Sequence, residues 1–217
     1  EDFLKPMEKV KNEIIQYKQE KKIIKNTPKY APAGQSTQMI IGASGESDRD
    51  IMYSAAFYYK QFRMKRVYYS GYVPVSNDSR LPALGSPVPM LRENRLYQTD
   101  WLLRFYGYDV RELLNQQTPN LDLEVDPKLS WALRNPHFFP VDVNKADKEA
   151  LLRIPGVGLK SVYKILNARR FRQLGIEHLK QIGIALIRAQ YFIICQGSDL
   201  KKTEMASEEI KGQILQN

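Results

Sequence analysis

Cysteine and histidine are scarce in this sequence. Cys195 is the single cysteine among 217 residues, which excludes an internal disulfide framework and any cysteine-built metal or iron–sulfur site within the chain. A lone cysteine is also typical of proteins from a reducing compartment. The two histidines, His137 and His178, are isolated from each other and from other ligand-type residues. The sequence therefore predicts no metal site.

Long hydrophobic runs are absent as well. No stretch of about 18 or more apolar residues occurs, so we expect no membrane-spanning segment. The opening residues, EDFLKPMEKVKNEII, lack the apolar centre of a signal peptide. The chain begins with Glu rather than Met, as a fragment of a longer protein does. We expect a cytoplasmic location and no membrane partner.

Positive charge is concentrated in one part of the chain. The formal net charge is +9, and residues 141–195 hold ten Lys and Arg against four Asp and Glu, or +6 of that total. The remaining residues share +3. A basic segment of this kind indicates a nucleic-acid partner, although charge alone also fits plain solubility.

The first part of the chain has the pattern of a strand–helix–strand unit. A helix is predicted for residues 4–25, because apolar residues recur there at steps of three and four. STQMIIGA and RVYYSGYVPV read as strands, and the helix between them begins with a capping box of Ser47 and Asp50. Strands joined through a helix are normally parallel, so we expect an α/β fold in this part.

Turn and capping residues organise the middle of the chain. Four prolines in residues 74–89 predict a long loop without regular structure. The helix after it is expected to end at Gly107, and Asp109 and Asp126 each have the position of an N-cap for a shorter helix.

The segment NPHFFPVDVN indicates a boundary before a separate, all-α domain. Four short helices are predicted there: 145–153 capped by Asn144, 159–170, one bracketed by Gly175 and Gly183, and 185–195. The last twenty residues are polar, and we expect them to be disordered. The predicted division is therefore 1–139, 140–197 and a tail of 198–217.

The stretch LLRIPGVGLKSVYKIL resembles the helix-hairpin-helix motif of DNA-binding proteins. Pro155 ends the first helix, because it lacks an N–H group and restricts the residue before it. Gly156 and Gly158 are expected to permit positive φ and to let a phosphate oxygen approach the backbone, while Val157 anchors the turn in the core. N–H groups freed at the start of the second helix favour an anion.

The basic residues after the turn agree with this interpretation. Together they predict salt-sensitive contacts to a phosphate backbone, without reading of the base sequence. The residues assigned to these contacts are Pro155, Gly156, Val157, Gly158, Lys160, Ser161, Lys164, Arg169 and Arg170. The simpler alternative is a turn that only packs two helices closely. The apolar residue before the proline, the spacing and the downstream charges favour binding.

LKQIGIALIRAQYFI resembles a degenerate second hairpin. It keeps Gly183 but has Ala185 where a second glycine is expected, so we interpret it as a packing partner of the first. Lys180 and Arg188 are its candidate phosphate contacts. Glycosylases with a helix-hairpin-helix carry a catalytic Asp shortly after the hairpin, and none occurs between Lys148 and Gly197. That enzymatic reading is disfavoured.

Four further stretches, together with the hairpin, resemble the C-terminal half of a bacterial family of radical S-adenosylmethionine proteins. That family is assigned to DNA modification or repair and linked to a uracil-DNA-glycosylase-like partner. The stretches are AGQSTQMIIGASGESDRDI, MKRVYYSGYVPV, RENRLYQTDWLLRFYG and NLDLEVDPKLSWALRNP. Met64 stands where Leu is expected, and the resemblance covers nearly all of residues 28–197.

The resemblance implies that residues 39–42 and 67–75 are late strands of a partial (β/α) barrel. It also implies S-adenosylmethionine and a [4Fe–4S] cluster, held on a C-x3-C-x2-C loop that this chain does not contain. The chain alone therefore cannot cleave the cofactor reductively. The full-length protein would be the enzyme.

Cofactor-contacting residues are implied near the end of the first strand. They are Gln38, Gly42, Ser44 and Glu46. The spacing G-x-x-x-E departs from the commoner G-x-x-E of related barrels. The alternative is an ordinary strand-to-helix turn at Gly42 and Gly45, with Glu46 as a solvated acid. No catalytic residue is assigned.

The sequence thus predicts the C-terminal part of a partial (β/α) barrel followed by a small helix-hairpin-helix domain. The expected function is DNA binding within a radical S-adenosylmethionine protein of DNA modification or repair, with double-stranded DNA as the main partner. A noncatalytic DNA-binding adaptor, with the barrel portion as a scaffold for a repair partner, is the competing interpretation.

Overall fold

The computed structural model describes residues 3–75, 79–85 and 87–216. Within these ranges the chain has a mixed α/β structure with two small parallel sheets, and neither sheet closes into a barrel. None of the helices described is both long and apolar enough to cross a membrane. Residues 76–78 and 86 of the predicted loop lie outside the described ranges, and its other residues before Met90 form no helix or strand.

The chain divides into two compact units. The first comprises Glu1–Tyr97 and Leu114–Asn120, and the second comprises Gln98–Leu113 and Leu121–Asn217. The second unit contains aromatic residues from before and after residue 140, where the sequence predicted a domain boundary. The ring of Phe139 packs edge-on against those of Trp131 and Phe192, with centroids 6.2 and 4.9 Å away.

The first unit contains the predicted strand–helix–strand arrangement. After α1 (Leu4–Ile23) come β1 (Ser36–Ile41), α2 (Asp48–Phe62) and β2 (Arg66–Gly71). β1 and β2 are parallel, as predicted. The strands and α2 bury the apolar residues Ile41, Val67, Tyr69, Ile51, Met52 and Ala55.

The start of α2 confirms the predicted capping box. The Ser47 Oγ accepts the Asp50 N–H at 3.2 Å, and the Ser47 N–H donates to the Asp50 carboxylate at 3.0 Å. These reciprocal bonds satisfy two groups that a helix start leaves without partners.

Side chains cover the outer edge of β2. The N–H of Val67 donates to the Tyr59 hydroxyl at 3.0 Å, and the N–H of Gly71 donates to the Glu93 carboxylate at 3.1 Å. Between them, the Tyr97 hydroxyl both accepts from the Tyr69 N–H and donates to the Tyr69 carbonyl, at 3.0 Å each. The backbone of β2 is thus hydrogen-bonded on the side away from β1.

The middle helices begin where the capping residues predict. α3 (Met90–Phe105) starts in the first unit and ends in the second, and Gly107 follows it with a φ of +72°. α4 (Val110–Leu113) and α5 (Pro127–Arg134) follow in chain order. The Asp126 carboxylate caps α5 by accepting the N–H groups of Lys128 and Leu129 at 3.1 and 3.0 Å.

Four short helices lie between residues 140 and 190, in the predicted order. They are α6 (Lys148–Arg153), α7 (Leu159–Ala168), α8 (Ile176–Ile182) and α9 (Leu186–Ala189). The predicted start of the first was wrong. Asp147 caps α6 by accepting the Ala150 N–H at 2.7 Å. Asn144 instead donates to the Leu174 carbonyl at 3.0 Å and accepts the Leu174 N–H at 2.8 Å.

The predicted fourth helix, 185–195, was also wrong at its end. α9 stops at Ala189, and Ile193–Ile194 forms β4, parallel to β3 (Val141–Asp142). Two β-branched residues fit this extended pairing better than a helix end. The short sheet brings the beginning and the end of this segment side by side.

Two helices occupy most of residues 200–216, where a disordered tail was expected. α10 (Leu200–Thr203) and α11 (Ser207–Gln216) follow the last strand. α11 buries Ile210 and Ile214, and the Ser207 hydroxyl donates to the Leu133 carbonyl at 2.8 Å. The composition of this segment is polar, but two isoleucines one turn apart are enough to hold it against α5.

Candidate nucleic-acid interface

The glycine turn, residues 154–158, joins α6 to α7. Pro155 and Val157 are buried, and the Val157 N–H donates to the Ile154 carbonyl at 3.2 Å. Gly156 has a φ of +82°, in the left-handed region that favours glycine. Gly158 does not share this conformation: its φ is −97°, so the expectation of positive φ there was wrong.

Gly156 also lies against the second turn of the domain. A Cβ at this position would come within 2.6 Å of the Ala185 carbonyl oxygen. The Ala185 N–H in turn donates to the Gly156 carbonyl at 3.3 Å. Gly156 is therefore required twice, by its backbone conformation and by the close approach of the second turn.

Lys128 supports the glycine turn from α5. Its ammonium group donates to the Val157 carbonyl at 2.6 Å and lies 4.9 Å from the centre of the Tyr106 ring. Burial lowers the pKa of this lysine, Asp126 opposes the shift and the charge of Arg153 adds to it, and together they bring the pKa to about 7. This contact was missed by the sequence analysis, because a lysine on a polar helix position carries no sign of burial.

The start of α7 presents free backbone donors. Gly158 precedes the helix and has no side chain with which to cap it. The first N–H that bonds back belongs to Val162, which donates to the Gly158 carbonyl at 2.9 Å. Within the described ranges, the N–H groups of Leu159, Lys160 and Ser161 have no protein acceptor. Such a cluster, at the positive end of a helix dipole, favours an anion.

The predicted basic contacts differ in their surroundings. Lys160 and Arg170 are exposed, and neither side chain has a hydrogen bond or ion pair to the part of the chain that the structure describes. Lys164 is exposed and donates to the Ile182 carbonyl at 3.0 Å. Ser161 is half-buried on the first turn of α7. These residues share α7 or follow it directly.

Arg169 has a different place. Its guanidinium donates to the carbonyls of Val143 and Ala146 at 3.1 and 2.5 Å, and the residue is half-buried. These bonds tie the end of α7 to the loop that precedes α6. The structure thus brings Lys160, Ser161 and the glycine turn together and gives Arg169 an internal role.

The second turn offers fewer donors: within the described ranges only the N–H groups of Leu186 and Ile187 lack a protein acceptor at the start of α9. Gly183 has a φ of +88° and Ile184 is buried, which repeats the pattern of Gly156 and Val157. However, the N–H of Ala185 is already bonded to Gly156, and α9 has only four residues. Arg188 is engaged with Asp126 at 2.6 Å.

The proposed cofactor residues lie in the first unit, after β1. The Glu46 carboxylate accepts the N–H of Gly42 and, at 3.2 and 2.5 Å, the N–H and hydroxyl of Ser44. Burial raises the pKa of Glu46, but the bonds from Ser44 and Gly42 and the charge of Arg92 outweigh it and hold the pKa below its ordinary value. Gln38 is exposed on β1 and has no hydrogen bond to these residues.

Space around this loop is filled by the protein's own side chains. A Cβ at Gly42 would overlap the Val88 side chain, and Arg92 donates to the Glu46 carbonyl at 3.0 Å and to Asp48 at 2.6 Å. The loop is closed on itself and does not fit S-adenosylmethionine in this arrangement. No set of three metal-ligating side chains occurs in the described ranges, and one cysteine cannot hold a [4Fe–4S] cluster.

Comparison with known proteins adds no assignment. The sequence matches no family model, no curated protein and no solved structure. Function is therefore inferred from the backbone donors, charges and cavities described for this chain.

Proposed function

We propose that this chain binds the phosphate backbone of double-stranded DNA through a helix-hairpin-helix formed by α6, the glycine turn and α7. The observation that carries the proposal is the cluster of N–H groups at Leu159, Lys160 and Ser161, which lack protein acceptors within the described ranges. Phosphate oxygens would complete these bonds. Contacts of this kind hold DNA without reading its sequence.

Charge and exposure support the same surface. The first turn of α7 contains no acidic residue, and Lys160 is exposed directly beside the free N–H groups. The segment 141–195 carries most of the chain's net positive charge. A phosphate at the start of α7 therefore meets the positive end of the helix dipole and positively charged side chains.

The second turn serves as a brace in this proposal. Like the first turn, it has a left-handed glycine, Gly183, followed by a buried apolar residue. Its Ala185 N–H, however, donates to the Gly156 carbonyl. That bond holds the first turn through a residue that lies outside α6 and α7, the two helices that the turn joins. One hairpin then contacts DNA and the other holds it in place.

The test is a titration of labelled duplexes of unrelated sequence with the Lys160→Glu variant. We expect weaker binding to every duplex and a salt dependence whose slope falls by about one for the lost phosphate contact. Lys201→Glu is the matched control, because Lys201 is an exposed lysine on α10 and the charge change is the same. Equal losses in both variants, or none in Lys160→Glu, would contradict the proposal.

A second candidate places this DNA-binding part within a radical S-adenosylmethionine protein of DNA modification or repair. The ordered sequence blocks and the parallel β1–α2–β2 unit support it. The closed Glu46 loop speaks against cofactor binding by this chain alone. The test is anaerobic cluster reconstitution of the full-length protein, in which the absence of iron–sulfur absorbance would refute the enzyme.

A noncatalytic adaptor shares the DNA contact but not the cofactor. The sequence of the complete protein separates the two, because an adaptor lacks the three-cysteine loop. An adaptor also predicts that duplex binding by the complete protein is independent of S-adenosylmethionine. A pull-down with a uracil-DNA-glycosylase-like protein tests the partner that the resemblance implies.

A further inference from the structure

A cavity of about 320 Å³ opens beside the glycine turn in the second unit. Its walls come from four parts of that unit: the end of α3 and the residue after it, the start of α5, the glycine turn itself, and α9. The lining side chains that matter here are Trp101, Tyr106, Lys128 and Arg188. Gly158, the residue before the free N–H groups of α7, also lines it.

One wall of the cavity is aromatic and accessible. Trp101 is 52% exposed, although large aromatic side chains are normally buried on average. Its ring centre lies 4.5 Å from that of Phe105, which is also exposed. Tyr106 lies beside the turn, since a Cβ at Gly158 would come within 3.6 Å of its hydroxyl. Flat rings at the rim of a cavity are surfaces on which a base can stack.

Two basic side chains that line the cavity, Lys128 and Arg188, supply hydrogen-bond donors. Lys128 is more than nine-tenths buried, and within the described ranges its ammonium makes one hydrogen bond, to Val157. The protonated group has three donors and the neutral amine has two, so at least one is available to an acceptor in the cavity. Arg188 stands beside it and is held by the Asp126 carboxylate. Carbonyl oxygens and ring nitrogens of a nucleobase are acceptors of this kind.

We propose that this cavity binds a single unpaired nucleobase of the DNA whose backbone phosphate lies on the start of α7. The proposal rests on the backbone contact proposed above. A nucleobase is smaller than the cavity, and the glycine turn places the cavity next to the phosphate donors. A paired base is stacked on both faces and bonded along its edge, so only an unpaired base can enter. The preferred ligand is therefore DNA with a bulged or unpaired nucleotide.

The test compares three labelled duplexes: fully paired, with one extra unpaired thymine, and with an abasic residue at the same bulge. We expect the thymine bulge to bind at least about fivefold more tightly than the other two, since stacking on one aromatic ring is worth that much. Trp101→Ala is expected to abolish this preference and to leave affinity for the paired duplex within about twofold. Equal binding of both bulges, or an unchanged preference in Trp101→Ala, would overturn the proposal.

Two controls keep the result interpretable. Phe171→Ala removes an aromatic ring that is 86% exposed and lies away from this cavity, so the preference should persist. Tryptophan fluorescence gives a second readout: Trp101 is exposed and Trp131 is buried, so quenching by the thymine bulge should disappear in Trp101→Phe. If Lys160→Glu leaves paired-duplex binding intact, the backbone contact fails. If Lys160→Glu weakens paired-duplex binding but Trp101→Ala leaves the preference for the thymine bulge unchanged, the base site fails and the backbone contact stands.

Discussion

The ammonium group of Lys128 donates a hydrogen bond to the carbonyl of Val157, 29 residues further along the chain. This bond joins the start of α5 to the centre of the glycine turn, two residues before α7 begins. The turn is therefore fixed from two sides, by Lys128 and by the second turn at Ala185.

Replacement of Lys128 by Met should change how stability depends on pH. Burial lowers the pKa of Lys128 from 10.5 to about 7, so between these values the unfolded chain holds a proton that the folded chain has lost. The free energy of unfolding of the unmodified protein should therefore rise with pH in this interval, relative to Lys128→Met. Denaturant unfolding of both proteins at several pH values from 6.5 to 9.5 measures the difference.

A control for this effect is the replacement of exposed Lys160 by Met. That variant should track the unmodified protein across the same pH series. If the Lys128→Met difference is flat with pH, Lys128 keeps its proton on folding, and the burial argument is wrong.

The two glycines of the turn should respond differently to alanine. Gly156→Ala places a side chain at positive φ and against the Ala185 carbonyl, and we expect it to lower the free energy of unfolding by about 2 kcal/mol or more. Gly158→Ala meets no such strain, because its φ is −97°. It should keep the stability and weaken duplex binding, since the new methyl group would stand where we propose that the phosphate approaches. Thermal unfolding and anisotropy titration separate the two effects; equal destabilisation would disprove this distinction.

The adjacent arginines at the end of α7 form a matched pair. Arg169→Ala removes two hydrogen bonds to the loop carbonyls of Val143 and Ala146 and should cost about 1–3 kcal/mol of stability. Arg170→Ala should leave stability nearly unchanged and reduce the salt slope of DNA binding. Melting temperatures together with titrations at several salt concentrations test both. The reverse assignment of the two effects would show that Arg169 faces the DNA.

The C-terminal helix α11 should be part of the cooperative fold. Ile214→Ala removes a buried side chain and is expected to cost about 2–5 kcal/mol, whereas Leu215→Ala, at 51% exposure, should cost no more than about 0.5 kcal/mol. Chemical denaturation of the two variants provides the comparison. Similar small losses in both would indicate that α11 does not pack as described.

Local sequence signals predicted most of the regular structure. Ser47 with Asp50, and Asp126 before Pro127, placed two helix starts correctly, because capping depends on residues only a few positions apart. The same reasoning failed at Asn144. Both Asn144 and Asp147 are good N-caps, and the choice between them is made by Leu174, whose backbone engages the Asn144 amide from 30 residues away.

The candidate site was predictable only in part. The glycine spacing and the lysines after it indicated the turn, but the sequence does not show that Gly158 adopts an ordinary φ or that Arg169 faces inward. Lys128 was missed for a related reason. Its burial depends on α5 packing against the turn, and no periodic pattern in PKLSWALRN marks that lysine as different from a solvent-exposed one.

The two edges of the first sheet differ: hydroxyl and carboxylate groups cover the edge at β2, and the edge at β1 is left for another strand. The side chains of Tyr59, Tyr97 and Glu93 accept hydrogen bonds from the outward-facing N–H groups of that strand. The Ile41 carbonyl accepts the Tyr72 N–H, so the alternate residues Gln38 and Ile40 turn their backbone groups the other way, where no strand pairs with them in the described ranges. A third strand from any source can extend this sheet beside β1 and nowhere else without first displacing three side chains.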